Sequence, residues 1–132
     1  MRFIFFIFLL CYQAYGQNLD KYLWKNRVVI IFDSNAKSLA IEKQLKAFEP
    51  FSNEFKDRDM VILVPVKRER EALLERFALK NDYCGLILIG KDGGIKLREK
   101  RIVAPKILFN LIDTMPMRKA ELRNKAKKKD KR

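Results

Sequence analysis

The side chain best suited to nucleophilic or redox catalysis in this sequence is a cysteine thiol, because the chain contains no histidine. Without histidine there is no Ser-His-Asp triad, no Cys-His pair and no imidazole ligand for a metal. The two cysteines, Cys11 and Cys84, are too few for a Cys₄ zinc site or a disulfide-stapled scaffold. We therefore predict no bound metal and no cofactor, and Cys84 is the catalytic candidate.

Cys11 lies in an N-terminal segment with the three parts of a secretory signal peptide. Arg2 precedes an apolar run that ends at Leu10, and the segment closes with Ala14-Tyr15-Gly16. A membrane-spanning helix needs about 20 apolar residues, so this run is too short to span a bilayer. We predict that residues 1–16 are removed, that the protein is secreted or periplasmic, and that it then has no transmembrane segment. The alternative is a lipoprotein attached through Cys11, which the bulky Leu10 disfavours.

Removal of residues 1–16 would leave Cys84 as the single thiol of the chain, without a partner for an internal disulfide. Three interpretations remain open for this thiol: it is buried and inert, it pairs with another chain, or it is reactive. We expect a buried thiol, because free cysteine is among the most buried residue types.

Basic residues are concentrated at the C-terminus of a chain that has 29 Lys+Arg, 16 Asp+Glu and a formal net charge of +13. Residues 118–132 contain nine basic and two acidic residues, and we predict that they form an unfolded or fraying tail. The tail suits an anionic envelope surface or another polyanion, and the alternative is a solvated end with no specific partner. Because no aromatic residues are interleaved, specific nucleic-acid binding is not indicated. The candidate polyanion-binding residues are Arg123, Lys125, Lys127, Lys128, Lys129, Lys131 and Arg132.

Between the two ends, the apolar pattern predicts alternating strands and helices. Residues 27–32, 60–66 and 86–89 are continuous apolar runs, typical of strands buried on both faces. Ile41, Leu45 and Phe48 recur at helical spacing, with Ser34 or Asn35 as the expected N-cap. A second amphipathic helix is predicted over residues 68–79.

The remaining residues predict a hairpin and a final helix. Residues 92–94, Asp-Gly-Gly, separate two apolar runs, and this pattern indicates an antiparallel hairpin. Pro105 opens the last helix, and its predicted buried stripe includes Ile107 and Leu111. The order β-α-β-α-β-β-α predicts one α/β domain over residues 17–117, a thioredoxin-like sandwich whose central mixed sheet has helices on both faces.

Three segments carry a resemblance to a known family: Trp24-Lys25-Asn26-Arg27, residues 88–98 around Gly90-Lys91-Asp92-Gly93-Gly94, and residues 112–121 around Met115-Pro116-Met117-Arg118. The sequence resembles the thioredoxin-like domain-of-unknown-function family of bacterial secreted proteins, which is related to domains of the extracellular-matrix coiled-coil-domain and sushi-repeat proteins. The resemblance covers about residues 19–121. It implies a thioredoxin-like fold and an oxidoreductase role suggested on fold grounds, although fold alone does not carry function.

The residues of dithiol chemistry are missing from this sequence. A thioredoxin places Cys-x-x-Cys where the first strand meets the first helix, and here that junction reads Phe32-Asp33-Ser34-Asn35. Its cis-proline position corresponds to Tyr83-Cys84-Gly85, so Cys84 is expected near the same edge on another element, where it would form only a mixed disulfide.

We therefore predict a binding module without dithiol catalysis. Its cationic tail would bind an anionic surface, and an unidentified protein is the other expected partner. The alternative is a single-cysteine thiol oxidoreductase or peroxidase-like enzyme that uses Cys84, with Lys80 or Lys91 as a basic neighbour.

Overall fold

The structure, a computed structural model, describes residues 17–35 and 37–132. The predicted signal peptide of residues 1–16, with Cys11, lies outside the described residues. Within the described ranges, no helix has the length and apolar character needed to cross a membrane.

Helices and strands follow the predicted order, with further short helices. The strands are β1 (Arg27–Phe32), β2 (Met60–Leu63), β3 (Gly85–Ile89) and β4 (Ile95–Glu99). The helices are α1 (Gln17–Asp20), α2 (Leu39–Phe48), α3 (Ser52–Asp57), α4 (Lys67–Arg76), α5 (Pro105–Asp113) and α6 (Pro116–Asp130), and a short 3₁₀ helix (Glu49–Phe51) joins α2 to α3.

The strands form one mixed sheet in the order β2-β1-β3-β4. β1 is parallel to β2 and antiparallel to β3, and β3 and β4 form the predicted antiparallel hairpin. Gly93 allows the hairpin turn, since its φ of +83° lies in a region that glycine enters without steric cost. The predicted α/β class with a mixed central sheet is confirmed, and the arrangement is compatible with a thioredoxin-like α/β fold.

The sheet separates two hydrophobic cores, because successive side chains of a strand point to opposite faces. One core packs against α2, α3 and α5 and receives Val29, Ile31, Leu86 and Leu88. The other packs against α1 and α4 and receives Val28, Ile30, Phe32, Ile87 and Ile89. Helices therefore cover both faces of the sheet, as the continuous apolar runs predicted.

Two predicted helix faces are shifted in the structure. Leu45 of α2 is exposed, and Gln44 is buried in its place because its side-chain amide exchanges two hydrogen bonds with the backbone of Val103, at 2.9 and 2.8 Å. In α5, Ile107 is exposed and Phe109 is buried, with its ring 5.2 Å from that of Phe55.

The C-terminal segment differs most from its prediction. Residues 118–132 were predicted to be unfolded or fraying, but α6 runs from Pro116 to Asp130. The prediction was wrong because Pro116 begins a helix, at a position where its missing N–H costs nothing. The side chains of Arg118 and Glu121 then fix this helix to the rest of the domain.

Candidate functional site

Polar side chains of functional interest collect at two opposite ends of the sheet. β1 finishes and β3 begins at the end that holds Asp33 and Cys84, which we call the thiol end. β1 begins and β3 finishes at the end that holds Arg27 and Lys91, which we call the ionic end.

The thiol end places Cys84 beside Asp33. Phe32 pairs with Gly85 across the antiparallel strands, so the residues just beyond them are neighbours. The Cys84 thiol donates to Asp33 Oδ1 over 3.7 Å, and the residue is exposed. The expectation of a buried thiol was wrong, because Cys84 precedes β3 and therefore lies outside the two buried faces of the sheet.

Asp33 is held by donors from the start of α2. Its Oδ1 accepts from the Ser34 N–H at 2.6 Å, and its Oδ2 accepts from the Ser38 hydroxyl at 2.6 Å. Ser38 is the N-cap of α2, with its oxygen 3.2 Å from the Ile41 nitrogen, so the expected N-cap at Ser34 or Asn35 was wrong. The hydrogen bond from Ser38 holds the pKa of Asp33 below its usual value. A negative charge thus lies beside Cys84, whereas reactive cysteines typically have cationic neighbours.

Two open clefts meet at this pair, and Asp33 and Cys84 line both of them. The larger cleft, of about 680 Å³, lies on the α4 side and is also lined by Val66, Arg70 and Asn81. The smaller cleft, of about 110 Å³, lies on the α2 side and is also lined by Ile41, Gln44 and Ile102. The thiol is therefore accessible from both faces of the sheet.

Lys91, one of the two lysines that the enzyme alternative offered as a basic neighbour, does not lie beside Cys84. It follows β3, whereas Cys84 precedes that strand, so the whole length of β3 separates the two residues and they lie at opposite ends of the sheet. The Lys91 ammonium instead binds Asp59 at 2.8 Å and Glu121 at 2.6 Å.

The ionic end contains three buried cations. Arg27 is 1% exposed, Arg118 is 2% exposed and Lys91 is 8% exposed. Burial of a charge is very costly unless it is paired and hydrogen-bonded. We call these three residues and the carboxylates around them the ionic cluster, which comprises Arg27, Asp57, Asp59, Lys91, Asp113, Arg118 and Glu121.

Glu121 is the central carboxylate of the ionic cluster. Its Oε1 accepts from Arg27 Nη2 at 3.1 Å and from Lys91 Nζ at 2.6 Å. Its Oε2 accepts from Arg27 Nη1 at 3.3 Å and lies 3.7 Å from Arg118 Nη1. A single side chain of α6 thus faces all three buried cations.

Arg118 connects α6 to two further parts of the fold. Its Nη2 donates to Asp57 Oδ2 at 2.5 Å, and its Nε donates to Asp113 Oδ1 at 3.2 Å. Arg58 also binds Asp113, at 2.8 Å, and its guanidinium lies 4.4 Å from the centre of the Phe109 ring. These contacts attach α6 to the end of α3 and the end of α5.

Three carboxylates of the cluster, Asp57, Asp113 and Glu121, have pKa values held below their usual values by their basic partners. Burial alone would raise the pKa of Glu121, but hydrogen bonds from Lys91 and Arg27 outweigh that effect and hold the pKa below its usual value. Hydrogen bonds from Lys125 and Arg118 lower the pKa of Asp57 to about 2.

Trp24, which lies next to the cluster, and Asp59, which belongs to it, have left-handed backbones. Trp24 has a φ of +64° and Asp59 a φ of +50°, a region that non-glycine residues rarely enter. The Trp24 N–H donates to the Lys91 carbonyl at 2.7 Å, and the Asp59 carbonyl accepts from the Arg27 N–H at 2.9 Å. Both conformations are therefore held by backbone hydrogen bonds to residues of the cluster.

Helix α6 continues beyond the cluster as a basic arm. Arg118, Glu121 and Lys125 recur at i, i+3 and i+7, so they share the face that contacts the body. Lys125 binds Asp57 at 2.5 Å, and all residues from 122 to 132 are exposed. The other six predicted polyanion-binding residues, all exposed, are Arg123, Lys127, Lys128, Lys129, Lys131 and Arg132.

The side chains described, in residues 17–35 and 37–132, include no group of three or more acidic or cysteine residues placed to hold a metal ion.

The sequence pattern did not indicate the ionic cluster, since Arg27 was predicted only as the start of a strand and Lys91 only as a possible basic neighbour of Cys84. A signal was present: the three segments that carry the family resemblance supply Arg27, Lys91, Asp113, Arg118 and Glu121. The distinctive residues of the resemblance thus converge on the ionic end.

Fold and site define a small α/β domain in which a buried ionic cluster fixes a basic C-terminal helix and an exposed thiol occupies the opposite end of the sheet. The chain belongs to the domain-of-unknown-function family DUF4174, whose family model matches residues 18–121. The matched range contains the whole ionic cluster and ends before most basic residues of α6. No curated protein matches the chain.

Proposed function

We propose that this protein is a secreted or periplasmic binding module of the thioredoxin-like type that lacks dithiol chemistry and binds anionic surfaces through the exposed half of α6. The pattern of residues 1–16 supports export. The strand order and pairing of the sheet support the thioredoxin-like type, and the single thiol of residues 17–132 supports the loss of dithiol chemistry.

The observation that carries the proposal is the continuity of α6. Its first half is fixed by Arg118 and Glu121, and its last turn together with the two residues that follow it presents five basic residues and one acidic residue over positions 127–132. A cationic patch of this kind attracts anionic partners over long distances. Because the helix is already formed, binding avoids much of the ordering cost that an unfolded tail would incur.

A truncation tests the proposal. Removing residues 127–132 takes away five basic residues and leaves Arg118, Glu121 and Lys125 in place. Binding to duplex DNA, used as a polyanion probe, is measured across a range of salt concentrations. We expect weaker binding and a log–log salt slope shallower by up to about 4.

The matched control removes three exposed lysines from other helices, in the triple variant K43Q/K56Q/K106Q. It is compared with K127Q/K128Q/K129Q, which has the same change in charge. The proposal expects a large loss of affinity only in the second variant. Equal losses in both variants, or an unchanged slope after truncation, would contradict a specific role for α6.

A second function is favoured by the exposure of Cys84, which lines two clefts. In a thiol oxidoreductase of this kind, the Cys84 thiolate would attack a partner's disulfide, form a mixed disulfide and release the partner's other sulfur as a thiol. The rate of thiol labelling against pH, in native and urea-unfolded protein, separates the two functions. The enzyme predicts faster labelling in the native protein at neutral pH, and the binding module predicts no such enhancement.

A further inference from the structure

We infer that the anionic surface is a phospholipid membrane, and that Trp24 and Leu23 enter its headgroup region beside α6. This inference rests on the proposed function and deepens it, because it names the chemistry of the surface and adds an apolar contact to the electrostatic one.

Trp24 is the single tryptophan of the chain, and it is 63% exposed. Its left-handed backbone, fixed by the hydrogen bond from its N–H to the Lys91 carbonyl, holds the indole outside both cores. The preceding Leu23 is 41% exposed. An indole with an apolar body and a polar N–H is suited to the boundary between water and lipid.

The exposed indole and the basic helix lie at the same end of the molecule. Lys91 joins them, because its carbonyl accepts from the Trp24 N–H at 2.7 Å and its ammonium binds Glu121 of α6 at 2.6 Å. Leu122, directly after Glu121, is 42% exposed, and Lys25 next to Trp24 is also exposed. The ionic end therefore presents apolar and cationic side chains together.

This combination favours a membrane over a soluble polyanion. A glycan or nucleic acid would neutralise the cations of α6 but would leave Leu23 and Leu122 in water. An anionic bilayer receives both components, since cations bind its headgroups while aromatic and aliphatic side chains enter the interface.

The experiment uses the intrinsic fluorescence of Trp24 in the protein without its predicted signal peptide. The protein is titrated at low salt with vesicles of mixed phosphatidylglycerol and phosphatidylcholine, with vesicles of phosphatidylcholine alone, and with heparin. We expect a blue shift of the emission maximum, and quenching by lipids with brominated acyl chains, only with the anionic vesicles. Co-sedimentation measures binding independently of fluorescence.

The outcomes separate this inference from the proposed function. Co-sedimentation with anionic vesicles without a blue shift would overturn the insertion of Trp24 and leave anionic binding in place. Binding to heparin but not to anionic vesicles would overturn the inference that the partner is a membrane and would leave a soluble polyanion as the partner. Binding to neither would overturn both.

A variant pair sharpens the test. Trp24→Ala is expected to weaken co-sedimentation with anionic vesicles several-fold, while its heparin affinity stays unchanged. Leu23→Ala is also expected to weaken co-sedimentation with anionic vesicles, and it keeps Trp24 as the fluorescent reporter. The matched control is Leu39→Ala, because Leu39 is 64% exposed but lies at the start of α2, at the other end of the sheet. Equal vesicle affinity in all three variants would contradict the inference.

Discussion

The two ends of the sheet differ in how their polar side chains are compensated. At the thiol end, the Asp33 carboxylate accepts from serine donors and from the exposed Cys84 thiol. At the ionic end, three cations less than 10% exposed are paired with carboxylates from four parts of the chain. The thiol end is therefore exposed and held by hydrogen bonds, whereas the ionic end is buried and held by ion pairs.

This difference indicates where the fold is most specifically determined. A buried ion pair adds little net stability compared with an apolar pair of the same shape, but removing one partner is strongly destabilising. The ionic cluster therefore acts mainly as a constraint, because a different position of α6 would leave Arg27 and Lys91 without the Glu121 carboxylate. The described residues of the thiol end contain no comparable network of buried ion pairs, and the Asp33 carboxylate there accepts ordinary hydrogen bonds.

The largest expected effect follows from neutralising the central carboxylate. Glu121→Gln leaves Arg27 and Lys91 without their shared negative charge, and we expect the free energy of unfolding to fall by about 3–5 kcal/mol in urea denaturation. The matched control is Glu42→Gln, whose exposed pair with Lys46 is worth about 0.5 kcal/mol or less. Similar losses of unfolding free energy in the two variants would mean that the pairs of Glu121 contribute no more to stability than an exposed surface pair.

A smaller effect is expected at the thiol end, from loss of the helix cap. Ser38→Ala removes the N-cap of α2 and one donor to Asp33, and we expect a loss of about 1 kcal/mol in the free energy of unfolding. Ser34→Ala, at the residue first expected to be the cap, serves as the control and should change stability by about 0.5 kcal/mol or less. A larger loss in Ser34→Ala than in Ser38→Ala would contradict the stabilising role of the Ser38 cap.

The smallest effect concerns acid stability at the ionic end. The pKa of Asp57 is lowered from 3.8 to about 2 in the folded state, so its contribution to stability is present above about pH 4 and is lost as the pH falls toward 2. The Asp57 carboxylate is 46% exposed, and screening limits this contribution to about 1 kcal/mol or less. Asp57→Asn should therefore be less stable than the wild type at pH 6, and the gap should close by pH 2. A gap independent of pH would rule out this electrostatic origin.

The sheet was predictable from the sequence because burial on two faces leaves a visible pattern. The apolar runs beginning at Arg27 and ending at Ile89, with Asp-Gly-Gly after them, are sufficient to predict β1, β3 and the hairpin. The position of Cys84 was not predictable from residue type, since its exposure depends on its place one residue before a strand.

The pairs of the ionic cluster leave no periodic signal, so the apolar pattern could not predict them, and the three segments of the family resemblance indicated which residues matter but not which of them pair. Arg27 and Glu121 are 94 positions apart in sequence, and a strand residue and a helix residue share no repeating pattern. The wrong prediction for the C-terminus has the same cause. The sequence pattern does not reveal the contacts of Arg118 and Glu121, and without them residues 118–132 look like a charged, unfolded segment. Tertiary pairing, rather than local propensity, fixes the position of α6.

The first half of α6 belongs to the folded domain and is held there by the ionic cluster. Amide hydrogen exchange on the protein is a direct test of this attachment. We predict that the amides of residues 121–125 exchange at least about tenfold more slowly than those of residues 127–132, and that this protection is lost in Glu121→Gln. Uniform, unprotected exchange from residue 118 to residue 132 in the wild-type protein would contradict the account.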